Sequence, residues 1–340
     1  MSNYIKNGLR DHKIADMHCD MLHYLYEISD GHPEKMGDIG CALPWLIKGG
    51  VGFQVMAVYA PTEPGSVEMA KNEISIYEEM TRKFDNILVP ITTSMTEVPN
   101  LESGKVITAL SIESAAGLCE EDEKLDLAFP RVDEILNAGH RIIYISLTHV
   151  EENRFGGGND SKLGLKDDGK SLLEFMDGKQ IAVDFSHTSE ALANDIIEHI
   201  DKKNLNIPVM ASHSNFRKLA PIVRNLPENI SLEIIRRKGI IGMTFIRRMV
   251  GLDGPHLLKE HILHGLELGG ENSLCIGADF FYTKNFDDQS RAPFYYEEHE
   301  HAGKIPEVFK SLSNDLNENQ LKALSSGNAE KFLNKLWFSG

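Results

Sequence analysis

The chain has 340 residues, enough for one large α/β domain or two smaller ones. Its 35 lysine and arginine residues against 51 aspartate and glutamate residues give a net charge of −16. This acidity excludes nucleic acid as an expected partner, because binding nucleic acid requires a basic surface that displaces counterions. No apolar run approaches 18 residues, so the sequence predicts no membrane span.

Apolar, β-branched segments alternate along the chain with stretches of helical periodicity. Eight strands are predicted, at 14–20, 51–60, 105–113, 141–149, 180–187, 208–213, 239–245 and 274–280. Helices are predicted between them, among others at 67–83, 131–138, 189–200 and 255–268, and a last helix at 318–337 is expected to pack on the outside. Strict alternation favours a parallel sheet with outer helices, and eight units favour a closed (β/α)8 TIM-type barrel.

Three other segments are interpreted within this scheme. A ninth apolar piece at 87–93 is read as an accessory segment before the third strand. Two long segments, 151–170 and 283–304, are predicted to be loops on the functional side of the barrel. The Glu-His-Glu-His run at 298–301 is interpreted as a solvated charged loop and not as a metal site. Without a repeat or a linker, 1–340 is read as a single domain.

The cysteines and the first residues of the chain indicate its compartment. Cys19, Cys41, Cys119 and Cys275 are scattered, with no C-x-x-C pair. Reduced thiols are therefore expected rather than a disulfide framework. The segment 1–13 lacks the apolar core of a secretory signal. A cytoplasmic protein is the expectation.

Six of the predicted strands end in a residue that can bind a metal or carry a proton. These residues are His18 and Asp20, Glu113, His149, His187, His213 and Asp279. Because the C-terminal ends of parallel barrel strands meet at one rim, we expect these side chains to lie close together.

The residue types suit a zinc site. Side chains two apart on a strand share a face, roughly 7 Å apart along it, so His18 and Asp20 should point the same way, and imidazole with carboxylate suits Zn²⁺. A carboxylate at Glu113 is costly to bury unless it is compensated, either by an arginine or by a metal pair that its two oxygens can reach. Asp279 is either a proton acceptor for metal-activated water or a structural cap or ion pair.

With these residues assembled, the chain resembles the membrane dipeptidase (renal dipeptidase) family of zinc peptidases, within the amidohydrolase-like barrels. The similar motifs are Asp-Met-His-Cys-Asp (16–20), Ser-Ile-Glu (111–113), Leu-Thr-His (147–149), Asp-Phe-Ser-His (184–187), Ser-His-Ser-Asn (212–215), Arg-Asn-Leu (224–226) and Ile-Gly-Ala-Asp-Phe (276–280). They extend over nearly the whole chain in the family's order.

The resemblance implies two zinc ions and a role for each site residue. One ion would be held by His18 and Asp20 and the other by His187 and His213, with Glu113 bridging. Asp279 would be the general base and acid, His149 would polarise the scissile carbonyl or hold its oxyanion, and Arg224 would bind the terminal carboxylate of the substrate. The implied reaction is hydrolysis of small dipeptides by a metal-bridging hydroxide, including those with a C-terminal D-residue. A homodimer is implied as well.

Some positions depart from the family pattern. Phe281 and Tyr282 stand where the family usually carries Asp-Gly, and Ser114 replaces a glycine. Ile246 stands where an aromatic residue is usual. An altered substrate pocket is therefore expected beside an intact metal site.

Two other functions are weighed against the dipeptidase. One is another amidohydrolase, such as a deaminase or lactonase, but those barrels more often begin with His-x-His and many use a modified lysine. The other is a non-catalytic metal-binding barrel, which would be expected to have lost ligands.

From residues alone, Arg224 would be interpreted as a surface ion pair.

Overall fold

Parallel strands close into a barrel in the computed structural model, which describes residues 13–338. The strands are β1 (Ile14–Asp16), β2 (Val51–Tyr59), β3 (Leu88–Pro90), β4 (Val106–Glu113), β5 (Ile142–Ser146), β6 (Ala182–Asp184), β7 (Val209–Met210), β8 (Ile241–Met243) and β9 (Leu274–Ile276). Eight of them follow the order β7-β6-β5-β4-β2-β1-β9-β8, and a parallel bridge between Ala211 and Ile241 joins the two ends. The predicted TIM-type barrel is confirmed.

The accessory segment predicted at 87–93 is β3, which lies outside the closed ring. It pairs with the first part of β4, where Leu88 lies opposite Val106. β5 pairs with the later part of β4, beginning with Leu110 opposite Ile142. The ninth strand therefore pairs with β4 alone and does not change the count of barrel strands.

Most barrel strands are shorter than predicted, because the last residues of the predicted strands lie outside the β-ladder. β1 ends at Asp16, and β6 ends at Asp184, although the apolar patterns continue to 20 and 187. The residues that follow leave the ladder; His187 and Asp279 have φ angles of 66° and 64°. Left-handed backbone is incompatible with a strand, so these residues turn at the rim.

Helices surround the barrel. They are α1 (Met21–Glu27), α2 (Leu43–Gly49), α3 (Ser66–Lys83), α4 (Ala128–Asn137), α5 (Asp167–Met176), α6 (Glu190–Lys203), α7 (Glu228–Arg236), α8 (Arg247–Val250), α9 (Leu257–Glu267), α10 (Ile305–Leu312), α11 (Glu318–Lys322) and α12 (Asn328–Phe338). Within residues 13–338 no helix has the length and apolar character needed to cross a bilayer.

α6 shows how the sequence sets a helix of this layer. The hydroxyl group of Ser189 accepts the N–H of Leu192 and caps the start of the helix. Leu192, Ile196 and Ile200 recur every four residues and are buried. Asn204 ends the helix in the left-handed conformation, with φ of 53°.

The C-terminal helical segment differs from the prediction. Instead of one helix over 318–337, α11 passes through a π-helical turn at Ala323–Gly327 into α12. Phe332, Leu336 and Trp337 pack in the cluster of side chains that fills the barrel, together with Phe53 and Ile107 of the strands. The expectation that this segment packs on the outside was therefore wrong for α12, whereas Leu321 and Leu324 pack in the larger cluster that includes the outer helices.

The run at 298–301 is also different from its interpretation as a solvated loop. Glu298 and Glu300 are exposed, but His299 and His301 are buried. His301 stacks on Trp45 with ring centroids 3.6 Å apart. Both histidines are therefore packing residues, and neither belongs to a candidate metal group among residues 13–338.

Candidate functional site

The ends of the barrel strands bring the predicted site residues together at one rim. Glu113 is the last residue of β4, and the others lie in the connections that follow β1, β5, β6, β7 and β9: His18, Asp20, His149, His187, His213 and Asp279. All except Asp20 and His149 are buried. The rim is the C-terminal end of the strands, as expected for a functional site on this fold.

Glu113 lies at the centre of the cluster. Its Oε2 is 3.5 Å from the Nε2 of His18, whereas its Oε1 is 3.1 Å from the Nε2 of His187 and 3.3 Å from that of His213. Asp20 Oδ1 lies 3.4 Å from His18 Nε2 on the first side. The two carboxylate oxygens of Glu113 thus face two separate pairs of side chains.

The donor atoms fit divalent cations. Three overlapping groups have ligand atoms within 4.8 Å of one another: His18, Asp20 and Glu113; Glu113, His187 and His213; and His18, His213 and Asp279. His18 Nε2 and Asp20 Oδ1 are buried and have no hydrogen-bond partner within the described chain. Because an unpaired buried polar atom is costly, atoms of this kind that point towards one another indicate a cation site.

Hydrogen bonds behind the rings orient two of the histidines. His18 Nδ1 is joined to the hydroxyl group of Tyr144 at 2.6 Å, and His213 Nδ1 to the hydroxyl group of Ser212 at 2.7 Å. The Ser212 hydroxyl in turn donates to the carboxylate of Asp184 at 2.9 Å. With Nδ1 occupied, each ring presents Nε2 to Glu113.

The roles of Tyr144, Ser212 and Asp184 in orienting the histidines were not predicted from the sequence. Asp184 and Ser212 lie inside the motifs that resemble the family, so the sequence did mark these two positions. Tyr144 is 126 residues from His18 and carried no local signal. The carboxylate of Asp16, which shares the strand-end motif of His18, accepts the backbone N–H groups of Ala278 and His18.

Asp279 is positioned for proton transfer. Its Oδ1 lies 3.6 Å from His18 Nε2. Burial, with the nearby carboxylate of Asp20, raises the pKa of Asp279 to about 7, although His18 acts in the opposite direction. A carboxyl group with a pKa near neutrality can take up and release a proton at physiological pH.

His149 occupies the more open side of the cluster. Its side chain is 28% exposed, and its Nε2 lies 3.9 Å from Glu113 Oε1. Its ring centroid is 4.1 Å from that of His187. Desolvation and the positive charge of Arg224 lower the pKa of His149 to about 3, so its ring is neutral at physiological pH.

Arg224 is buried, so its interpretation as a surface ion pair was wrong. Its Nη1 donates to the hydroxyl group of Ser214 at 2.9 Å, and its Nη2 donates to the backbone carbonyl of His213 at 3.0 Å. Its Nε has no partner in the part of the chain that is described. The planar group is fixed beside the histidines, and its buried Nε–H remains available as a donor.

Three of the four positions that depart from the family pattern, Phe281, Tyr282 and Ile246, lie among aromatic side chains. The ring of Phe281 lies 5.4 Å from that of Phe294, and Tyr282 packs against Tyr24 at 5.3 Å between centroids. Ile246 pairs through its backbone with Tyr295. Aromatic packing thus replaces the small and acidic residues expected after Asp279.

The fold is similar to that of solved metallopeptidases. A metallo peptidase from Rhodobacter sphaeroides, solved with a phosphinate mimic of the dipeptide L-Ala-D-Ala, is similar with a TM-score of 0.80 and 18% identity over 96% of this chain and 99% of that one. A solved metallo peptidase named dipeptidase AC gives a TM-score of 0.80 and 19% identity with the same coverage.

Sequence comparison gives the family. The dipeptidase verJ of Clonostachys rogersoniana is 24% identical over 321 residues, which cover 85% of this chain and 78% of that protein. The sequence model of the membrane dipeptidases (peptidase family M19) matches residues 3–336. The chain therefore belongs to the membrane dipeptidase family and is a metallo-dipeptidase. Family and enzyme class agree with the sequence-based expectation, and the deaminase, lactonase and non-catalytic alternatives are set aside.

Proposed function

We propose that the chain is a zinc-dependent dipeptidase with a binuclear site. One ion would be held by His18 and Asp20 and the other by His187 and His213, with Glu113 shared between them. The observation that carries this proposal is the position of Glu113, whose Oε2 and Oε1 face the two pairs separately. Imidazole and carboxylate donors favour zinc over the harder magnesium and calcium ions.

The proposed chemistry is hydrolysis of the amide bond of a small dipeptide. When bound, the paired zinc ions supply Lewis acidity and make hydroxide available near neutral pH. Asp279 takes the proton from the attacking water and returns it to the departing amine, a role that the position of its Oδ1, 3.6 Å from His18 Nε2, supports. The neutral ring of His149 hydrogen-bonds to the carbonyl oxygen as negative charge develops there.

Arg224 is proposed to bind the terminal carboxylate of the substrate. Its free Nε, beside two guanidinium nitrogens already fixed by hydrogen bonds, supports this role. A carboxylate held at a fixed distance from the metal ions restricts the enzyme to short peptides. The fold's likeness to a metallo peptidase that binds a mimic of L-Ala-D-Ala supports dipeptides with a C-terminal D-residue as substrates.

The proposal includes a single domain over 1–340, a cytoplasmic location and a homodimer. Residues 1–12 and 339–340, and with them most of the segment interpreted as lacking a secretory signal, lie outside the described residues. The four cysteines are free and buried, which supports a reducing compartment. Cell fractionation and light scattering test location and assembly.

The proposed function is tested by the variant Asp279→Asn, assayed on L,L- and L,D-dipeptides and on the same dipeptides with an amidated C-terminus. We expect two zinc ions per chain by elemental analysis in both proteins, and turnover at least about 100-fold lower in the variant, because general acid–base catalysis contributes roughly 10²–10⁴-fold. The amidated peptides should be poor substrates of the wild type.

The control is Asp133→Asn, which changes a surface carboxylate paired with Lys179 and should leave the rate unchanged. A zinc-loaded wild type that hydrolyses no dipeptide would contradict the proposed function. Undiminished turnover by Asp279→Asn would remove Asp279 from the mechanism.

A further inference from the structure

Tyr295 contacts the backbone around Asp279 from the far end of a long loop. Its hydroxyl group donates to the carbonyl oxygen of Asp279 at 2.6 Å and accepts the N–H of Phe281 at 3.1 Å. One hydroxyl group therefore connects two backbone groups on the turn that follows β9.

This turn needs support. Asp279 has φ of 64°, a left-handed conformation that costs energy for a residue with a Cβ atom, although less for Asp than for most residues. Such a conformation persists only where the surroundings hold it. On the other side of the residue, the N–H of Asp279 donates to the carbonyl of His18 at 3.3 Å. The Tyr295 hydroxyl therefore holds the second end of a strained peptide segment.

Tyr295 is itself held firmly. It is buried, and its ring centroid lies 5.7 Å from that of Phe280 and 5.8 Å from that of Phe281. Its backbone forms an antiparallel bridge with Ile246, just beyond β8, and the neighbouring Arg247 N–H donates to the carbonyl of Phe294 at 2.8 Å. The loop after β9 thus returns across the rim and is attached to the end of the adjacent strand.

We propose that Tyr295 is a positioning residue for proton transfer, because its hydroxyl group fixes the turn that directs the Asp279 carboxylate at the metal centre. The proposal rests on the proposed function, in which Asp279 carries the proton. A proton carrier must lie within hydrogen-bond reach of the reacting atoms, and a displacement of about 1 Å can lower the rate about 100-fold. Tyr295 acts through Asp279 and does not itself touch the substrate.

The test is Tyr295→Phe, which keeps the ring and removes only the hydroxyl group. We expect kcat to fall about 10- to 100-fold while KM changes less than about threefold and the zinc content stays the same, since substrate and metal contacts are untouched. The matched control is Tyr296→Phe. The hydroxyl group of Tyr296 also donates to a backbone carbonyl at 2.6 Å, but that carbonyl belongs to Gly251. The control should keep its kcat.

Two further measurements separate positioning from a general loss of structure. In the Asp279→Asn background, Tyr295→Phe should lower the residual rate no further, because the two residues act on the same step. In the metal-free protein, hydrogen exchange at the Phe281 amide should become faster in Tyr295→Phe than in the control, since that amide loses its acceptor.

The outcomes distinguish this inference from the proposed function. If Asp279→Asn is impaired but Tyr295→Phe turns over like Tyr296→Phe, the positioning role is overturned and the proposed function stands. A full additional loss in the Asp279→Asn background would equally overturn it. If Asp279→Asn is as active as the wild type, the proton-transfer role fails and the inference fails with it.

Discussion

Glu113 shows how much of the site depends on one carboxylate. Burial, with the nearby carboxylates of Asp20 and Asp279, holds the pKa of Glu113 well above its usual range, although His18 and Arg224 act in the opposite direction. A buried carboxylate among other acids is unfavourable unless positive charge compensates it. Cations between Glu113 and its two pairs of neighbours would provide that compensation.

The variant Glu113→Gln should therefore lose metal and activity together. A neutral amide has one oxygen acceptor instead of two charged oxygens, so we expect the zinc content to fall from the proposed two ions per chain to one or fewer, and turnover to fall at least about 100-fold. Elemental analysis after dialysis and a dipeptide assay measure the two effects. Glu78→Gln, at an exposed carboxylate bonded to His140, should change neither. Retention of both ions would exclude the bridging role.

The segment between α1 and α2 is attached to the loop after β9 by one buried carboxylate. Asp38 accepts hydrogen bonds from Lys284 at 2.7 Å and from the hydroxyl group of Tyr24 at 2.9 Å, and Lys35 lies 2.9 Å away. Burial opposes ionisation, but Lys284, Lys35 and Tyr24 together lower the pKa of Asp38 to about 2. These contacts join two connections that flank the site.

Asp38→Asn should lower the free energy of unfolding by about 1–2 kcal/mol at pH 7, since both lysine partners are about half exposed and solvent screens their charges. Because the pKa of Asp38 is lower in the folded protein, its stabilisation is complete above the unfolded pKa of about 4 and is lost as the pH falls towards 2. Urea unfolding of variant and wild type between pH 7 and pH 2.5 should show the difference narrowing.

The control for this prediction is Asp30→Asn, which removes an exposed partner of Lys35. A surface ion pair contributes little, so this variant should differ from the wild type by less than about 0.5 kcal/mol at every pH. A difference for Asp38→Asn that stayed constant down to pH 2.5 would show that the charge of Asp38 is not the cause.

The closed barrel places the proposed metal ligands, which come from distant parts of the chain, on a single rim. His18 and Asp279 belong to the connections after the first and last strands, which are neighbours because β1 pairs with β9. The candidate ligand atoms of each group lie within 4.8 Å of one another in the folded chain. A bound metal should stabilise the folded state, because the unfolded chain has no such site.

Removal of metal should consequently lower the Tm by roughly 5–10 °C. A ligand at 1,000 times its Kd contributes about 4 kcal/mol, and each kcal/mol shifts the Tm of a protein of this size by about 2 °C. Calorimetry of chelator-treated and zinc-loaded protein measures the difference, and added zinc should restore the higher Tm. An equal Tm for both preparations would mean that the rim binds no metal tightly.

Much of the fold followed from local patterns. Strands such as β2 and β4, buried on both faces, carry long apolar runs, and their counterparts were predicted within one residue of their observed ends. The early ends of β1 and β6 were not predictable from the sequence. The left-handed backbone conformation of His187 and the hydrogen bond that the Asp16 carboxylate accepts from Ala278 depend on neighbouring strands. The position of α12 also escaped prediction, since an apolar helix face does not specify which apolar surface it meets.

The amino-acid sequence alone determined which imidazole and carboxylate groups can bind metal, and in which order they follow the barrel strands. Residue types and period-two or period-3.6 patterns are local properties, and they were sufficient to predict the barrel and to choose the seven rim residues. Only the tertiary structure determined three contacts of the site. They are the hydrogen bond between His18 and Tyr144, the separate neighbours of the two Glu113 carboxylate oxygens, and the hydrogen bond from Tyr295 to the carbonyl of Asp279. These contacts join distant parts of the chain, and closure of the barrel is what brings them within bonding distance.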